Sequence, residues 1–187
     1  MTKAAFIDRD GTVNIDFGYI SSPDMVVLMP DAAKGLKRLH DKGYLIIIVS
    51  NQSGVARGYF TEEDVVRVNL RILELVRLEG ADIDGFYFCP HHPQEGFFPY
   101  LKDCKCRKPK PGLVKRAVRD FDINLKRSIV IGDKESDIKL ALNLNILGIL
   151  LGDELCNSEG EGKNWIRLHD WNELDMNRIE ILKEELT

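Results

Sequence analysis

The chain has 187 residues, of which 44% are hydrophobic and 30% charged, which allows a sizeable core under a charged surface. A formal net charge of −4 argues against a broad nucleic-acid footprint. The longest apolar run, "YLIIIV", is strand-sized and too short to span a bilayer, and the first residues carry no signal-peptide core, so the cytoplasm is the expected compartment.

Short apolar runs alternate with helical patterns along the chain. "AAFID" (4–8) reads as a buried strand ending in a carboxylate. In "DAAKGLKRLHDKG" (31–43), Ala32, Leu36 and Leu39 share a helical face, and Gly43 is a stop. "YLIIIVSN" (44–51) is a second buried strand. Residues 61–80 open with Thr61 and Asp64 in capping-box spacing, and Val66, Leu70 and Leu73 are read as the apolar stripe that follows. "GFYFC" (85–89) is a third strand, residues 111–121 a helix with proline near its start, "SIVIGD" (128–133) a fourth strand, 135–145 a helix and 146–151 a fifth strand. Residues 153–164 form a polar loop, "WIRL" a short strand, and the segment from Asp170 a helix. Trp165 and Trp171 are expected to seal this C-terminal extension (153–187) onto the core. The alternation predicts a single α/β domain over 1–187. Its sheet is doubly wound and mostly parallel, with helices on both faces. The segments between motifs are too short for a large cap domain.

Ligands of such sheets bind at the carboxyl ends of the strands. The polar residues there are Asp8, Ser50 with Asn51, and Asp133. "FIDRDGT" sets Asp8 and Asp10 two apart, with Gly11 allowing a turn. A capped strand end with two surface carboxylates would look the same, so the other strand ends decide. "IVSNQSG" offers hydroxyl and amide groups before a glycine, which suits a phosphate cradle. "CRKPKPG" brings Arg107, Lys108 and Lys110 to a helix start, where anions are favoured. "IGDKESD" adds Asp133 and Asp137. Together these residues make phosphoryl-transfer machinery. An ionised carboxylate needs no base to attack, a cation and a lysine offset its repulsion from phosphate, and a second acid protonates the leaving oxygen.

"CPHHPQEGFFPYLKDCKC" (89–106) concentrates Cys89, Cys104 and Cys106 with His91 and His92. Three thiolates and one imidazole suit tetrahedral zinc in a closed, structural site. Spacing does not choose between the histidines. A redox reading of Cys104 and Cys106 leaves the other ligands unused. A nucleic-acid finger needs a helix where Pro93, Gly96 and Pro99 dictate a loop.

"DRDGT", "SNQSG", the lysine of "RKPKPG" and "GDKESD" resemble the four motifs of the haloacid dehalogenase-like phosphatases, in their usual order. "DRDGTVN", "GYI", "SNQSGVARGYFTEED", "CPHHP", "CKCRKPKPG" and "IGDKESD" more closely resemble the D-glycero-D-manno-heptose 1,7-bisphosphate phosphatases, over about residues 3 to 152. The resemblance implies Asp8 as nucleophile and Asp10 as general acid and then base. It implies Mg2+ on Asp8, Asp133 and the backbone carbonyl of Asp10, with Ser50 and Lys108 on the transferring phosphoryl group. Asp16, Phe17, Gly18, Tyr19, Asn51, Gln52, Ser53, Arg107 and Lys134 would line the substrate site, Arg107 facing the second phosphate. Zn2+ would sit on Cys89, His91, Cys104 and Cys106. The Asp10 side chain should point away from Mg2+, since only one of the two aspartates can be the in-line nucleophile.

The implied reaction removes the 7-phosphate of heptose 1,7-bisphosphate in nucleotide-activated heptose synthesis for lipopolysaccharide or another surface glycan. The family is by default monomeric, with no nucleic-acid or membrane partner. Histidinol-phosphate phosphatase shares the motifs and the zinc loop. A non-catalytic zinc module is opposed by the intact Asp8, Asp10, Lys108 and Asp133. Asp137 is read as orienting loops or Lys134. Arg57 is equally consistent with a solvated loop or an approach to substrate. Cys156, His40 and His169 carry no site.

Overall fold

The computed structural model describes residues 2–158, 161 and 163–186. Its six strands are β1 (Lys3–Ile7), β2 (Tyr44–Asn51), β3 (Gly85–Cys89), β4 (Ile129–Gly132), β5 (Leu147–Leu151) and β6 (Trp165–Leu168). They form one sheet in the order β3-β2-β1-β4-β5-β6, and every pairing between them is parallel. The helices are α1 (Ala32–Asp41), α2 (Glu62–Leu78), α3 (Gly112–Phe121), α4 (Glu135–Leu144) and α5 (Met176–Glu185). The short "WIRL" run is thus a full parallel edge strand, and α5 begins after a three-residue 3-10 turn at Trp171–Glu173.

Strand alternation explains the two layers. Ala4 and Phe6 of β1 face Leu113, Val114 and Ala117 of α3 and Leu140 and Ala141 of α4. Ala5 and Ile7 face the other way, into the cluster with Leu36 and Leu39 of α1, Val68 and Ile72 of α2 and Ile179 of α5. With both faces covered, each central strand must be apolar at every position, which is why it reads as an unbroken hydrophobic run.

Local signals set the helix ends. In α1, Ala32, Leu36 and Leu39 are all buried, and Gly43 follows the helix at φ +78°, a left-handed value that glycine adopts without strain. At α2 the Thr61 hydroxyl accepts from the Asp64 N–H, while the Asp64 carboxylate accepts from the Thr61 N–H. The apolar stripe of α2 is corrected. Val66 and Leu70 are exposed and Leu73 is only partly buried; Val65, Val68, Asn69, Ile72 and Val76 form the inner face. Aliphatic residues occur on both sides of this helix, so periodicity alone chose a line one position off. The polar Asn69 on the inner face also broke the pattern.

The C-terminal segment is part of the core. Trp165 and Trp171 are both 1% exposed, and a Cβ on Gly35 of α1 would fall 2.1 Å from a Trp171 ring carbon. The 153–164 loop has no helix or strand among its described residues; residues 159, 160 and 162 lie outside them. The long segment between β1 and α1 holds only a three-residue 3-10 turn, Pro23–Met25, so no cap domain is inserted there. Among the described residues, no helix is long and apolar enough to cross a membrane.

Candidate active site

From β1 the sheet grows through β2 and β3 to one side, and through β4, β5 and β6 to the other. The strand order reverses between β1 and β4, and the crevice of such a fold lies outside their carboxyl ends. Asp8 is the first residue past β1 and Asp133 the first past β4. Asp8, Asp133 and Asp137 each bring a carboxylate oxygen to within 4.8 Å of the others. The Asp10 side chain is not part of this cluster, in line with the expected outward orientation.

Gly11 makes the approach possible. Its φ is +86°, and a Cβ there would lie 2.2 Å from Asp133 Oδ2. The hydroxyl of Thr12 donates to Asp133 Oδ1 at 3.2 Å, and the indole N–H of Trp171 donates to the Thr12 carbonyl at 2.8 Å. Lys108 Nζ lies 2.7 Å from Asp8 Oδ1 and 2.7 Å from Asp137 Oδ1, and is buried. Its backbone is gripped by Asn51 at the end of β2. The Lys108 N–H donates to Asn51 Oδ1 at 2.9 Å, and Asn51 Nδ2 donates to the Lys108 carbonyl at 3.2 Å. Asp137 also accepts from the Lys134 N–H at 3.2 Å, so it orients both Lys134 and Lys108.

The electrostatics follow from this packing. Burial, then the negative charge of Asp8, pushes Asp133 up to about 6. Burial also raises Asp137 despite its contact with Lys108. Lys108 loses solvation too, but Asp137 and Asp8 more than offset this and strengthen its hold on a proton. Lys108 pairs with Asp8 and Asp137, and Lys134 Nζ lies 3.8 Å from Asp133 Oδ2, so three carboxylates meet two ammonium groups and negative charge is left in excess on hard oxygen donors. That donor set fits Mg2+.

Asp10 is held in a different direction. Arg9 Nη2 donates to Asp10 Oδ2 at 2.9 Å and Arg9 Nε to Oδ1 at 3.1 Å. Asn14 Nδ2 adds a bond to Oδ1 at 3.0 Å and Gln52 Nε2 one to Oδ2 at 2.8 Å. Burial alone would raise the Asp10 pKa, but the charge and hydrogen bonds of Arg9, then Asn14 and Gln52, outweigh it and hold the carboxyl below its usual range.

A cleft of about 420 Å3 opens above these residues. Its lining comprises Asp10, Asp16, Gly18, Tyr19, Ile20, Asn51, Gln52, Ser53, Gly54, Phe60, Arg107, Lys108, Lys134 and Ser136. Lys134 Nζ donates to Asp16 Oδ2 at 3.1 Å across it, and Tyr19 meets Tyr59 edge-on with ring centroids 4.7 Å apart. Phe17 is exposed and outside the lining, while Ser50 is buried at the end of β2.

Cys89, His91, Cys104 and Cys106 converge beside the cleft. Cys106 Sγ is 3.3 Å from Cys89 Sγ, 3.3 Å from Cys104 Sγ and 3.3 Å from His91 Nδ1. Contact with Cys89 lowers the Cys106 thiol to about 5, towards the thiolate that a metal ligand must be. His92 turns away, its Nδ1 accepting from the N–H groups of Gln94 and Glu95 at 3.3 and 2.9 Å. The choice left open by spacing falls on His91. These donors, soft sulfur and imidazole, fit Zn2+.

A HAD-hydrolase-like family model matches residues 105–164. Over 164 residues the chain is 38% identical to a D-glycero-beta-D-manno-heptose-1,7-bisphosphate 7-phosphatase from Haemophilus influenzae, covering 87% of this chain and 89% of the relative. The chain belongs to the heptose-1,7-bisphosphate 7-phosphatase family. A D-glycero-alpha-D-manno-heptose-1,7-bisphosphate 7-phosphatase from Burkholderia mallei is 42% identical over 137 residues, 73% of this chain and 72% of the relative. The crystal structure of a D,D-heptose 1,7-bisphosphate phosphatase from B. bronchiseptica, complexed with magnesium and phosphate, superposes with a TM-score of 0.76 at 25% identity, covering 98% of this chain and 99% of that one.

Within this heptose-bisphosphate phosphatase fold, the strand-end motifs converge as the sequence implied. Asp8, Asp10, Lys108 and Asp133 meet at one crevice, and eight of the nine expected substrate contacts, all but Phe17, line the cleft. Sequence reasoning missed Arg9, Thr12, Asn14, Asn69 and Ser136. Arg9 stood inside the quoted "DRDGT". A cation between two strand-end carboxylates is a natural partner for one of them, and that was the available signal.

Proposed function

We propose that the protein is a magnesium-dependent phosphatase that removes the 7-phosphate of D-glycero-D-manno-heptose 1,7-bisphosphate and leaves the heptose 1-phosphate, as one monomeric domain in the cytoplasm. The observation that carries the reading is the division of labour between the two aspartates. Asp8 sits against Lys108 and Asp133, while Asp10 is turned into the cleft wall.

Asp8 attacks phosphorus and forms an aspartyl phosphate as the bond to the sugar oxygen breaks. Asp10 gives that oxygen a proton, then takes one from the water that opens the intermediate. The arriving phosphate is anionic and works against the donors that hold Asp10 ionised, so its proton affinity rises when it is needed. Lys108 and Ser50 stabilise the transferring oxygens. Mg2+ on Asp8, Asp133 and the Asp10 carbonyl would supply further neutralisation of the phosphoryl charge. Arg107, with Lys134, is placed for the second phosphate. Zn2+ on Cys89, His91, Cys104 and Cys106 would fix the loop that carries Arg107 and Lys108; the Arg107 guanidinium already donates to the His91 carbonyl at 3.3 Å.

The test measures phosphate release with Mg2+ from both anomers of heptose 1,7-bisphosphate, from histidinol phosphate and from 4-nitrophenyl phosphate. One heptose bisphosphate should give the highest kcat/KM. Faster turnover of histidinol phosphate would replace this reading, and no turnover of any ester would leave a zinc-stabilised binding module.

A further inference from the structure

The residue between the two catalytic aspartates cannot reach a substrate. Arg9 is 0% exposed and does not line the cleft, yet each nitrogen of its guanidinium has an acceptor. Nε and Nη2 fork onto Asp10, Nη2 also donates to Gln52 Oε1 at 3.0 Å, and Nη1 donates to Asn69 Oδ1 at 3.1 Å. Asn69 is the polar residue on the inner face of α2, and is itself 6% exposed. A buried arginine fixed on three sides is a rigid part. It is tied to α2 through Asn69, to the end of β2 through Gln52, and to Asp10.

We infer that Arg9 and Asn69 are positioning residues for Asp10. Asn69 sets the plane of the guanidinium, and the guanidinium sets the direction of the Asp10 carboxylate. The inference rests on the reading of Asp10 as acid and base above. The need for such a clamp is geometric. Asp10 follows Asp8 by two residues and precedes a glycine turn, so an unrestrained side chain could swing towards Asp8, Asp133 and Asp137, where a bound cation would attract it. Held by the fork, it faces the leaving oxygen instead. A lysine at position 9 would keep the charge but not the planar fork or the reach to three acceptors.

The experiment compares kcat/KM, which reports steps up to loss of the leaving group, on two substrates. Heptose bisphosphate releases an alkoxide that needs a proton, whereas 4-nitrophenyl phosphate releases a phenolate that does not. General acid catalysis contributes about 10²–10⁴-fold, and a displacement of about 1 Å can cost about 10²-fold. Arg9→Lys and Asn69→Leu should therefore each lose about 10-fold or more on heptose bisphosphate, with KM within about twofold and 4-nitrophenyl phosphate also within about twofold. Equal losses on both substrates, or no loss on either in proteins that melt as cooperatively as wild type, would overturn the clamp. Should one variant fail to fold, the other carries the same comparison. Asp10→Asn, run alongside, separates the two ideas. If it still turns over heptose bisphosphate, the acid–base reading has failed; if it is inactive while both clamp variants are normal, only the clamp has failed.

Discussion

Replacing Lys108 by methionine keeps most of the side-chain volume and removes one positive charge from a closed site. Lys108 Nζ stands 2.7 Å from both Asp8 and Asp137, and Asp137 is 0% exposed. Without the ammonium, Asp137 is a buried carboxylate with no counter-charge, beside Asp8 and Asp133. Removing one partner of a buried ion pair costs about 3–5 kcal/mol. At roughly 2–4 °C per kcal/mol for a chain of this length, the melting temperature should fall by roughly 10 °C at about pH 8. The sign of the pH dependence follows from proton binding. The variant's carboxylates hold protons to higher pH than those of wild type, so acidification relieves the variant first. The gap between the two proteins should therefore narrow towards about pH 5, and added Mg2+ should recover part of it at about pH 8. Scanning calorimetry with and without Mg2+ measures both effects. A gap under about 2 °C at the higher pH, or one that widens on acidification, would refute the reasoning.

Other outcomes follow from neighbouring contacts. Burial and Asp8 raise Asp133 to about 6, so its contribution to stability is complete below the unfolded value near ~4 and is lost as pH rises through about 6. The metal-free protein should melt lower at about pH 7 than at about pH 5, and Mg2+ should reverse the order of effects; calorimetry in chelator checks it. Gly11→Ala places a Cβ 2.2 Å from Asp133 Oδ2 at φ +86°, and should cost about 1–3 kcal/mol and weaken Mg2+ binding in a calorimetric titration. Cys106→Ser should abolish stoichiometric zinc in metal analysis and lower turnover, because Arg107 and Lys108 follow that cysteine directly. Unchanged kinetics in a zinc-free variant would uncouple the loop from the chemistry.

Much of this molecule was legible in the sequence, and the exceptions share a physical origin. The strands were legible because a doubly covered sheet demands apolar residues at every position, so "YLIIIVSN" matches β2 to the residue. The strand-end carboxylates were legible because strand ends are the one place where such a sheet admits charge. The apolar face of α2 was not, since aliphatic residues lie on both sides and the inward Asn69 looks like a surface residue until Arg9 supplies its partner. Asn51 lines the cleft as expected, but the grip of its amide on the Lys108 backbone is a pairing between residues 57 positions apart that no local pattern encodes. The choice of His91 over His92 was equally three-dimensional, because it depends on which ring turns inwards.

The bond from Trp171 to the Thr12 carbonyl gives the C-terminal segment a use at the bench. Thr12 in turn holds Asp133, so an indole at the far end of the chain is two contacts from the carboxylate cluster. The protein has only two tryptophans. With Trp165 replaced by phenylalanine, Trp171 becomes a single built-in fluorophore. Its emission would follow cation loading of the crevice in real time, without any label on the cleft face.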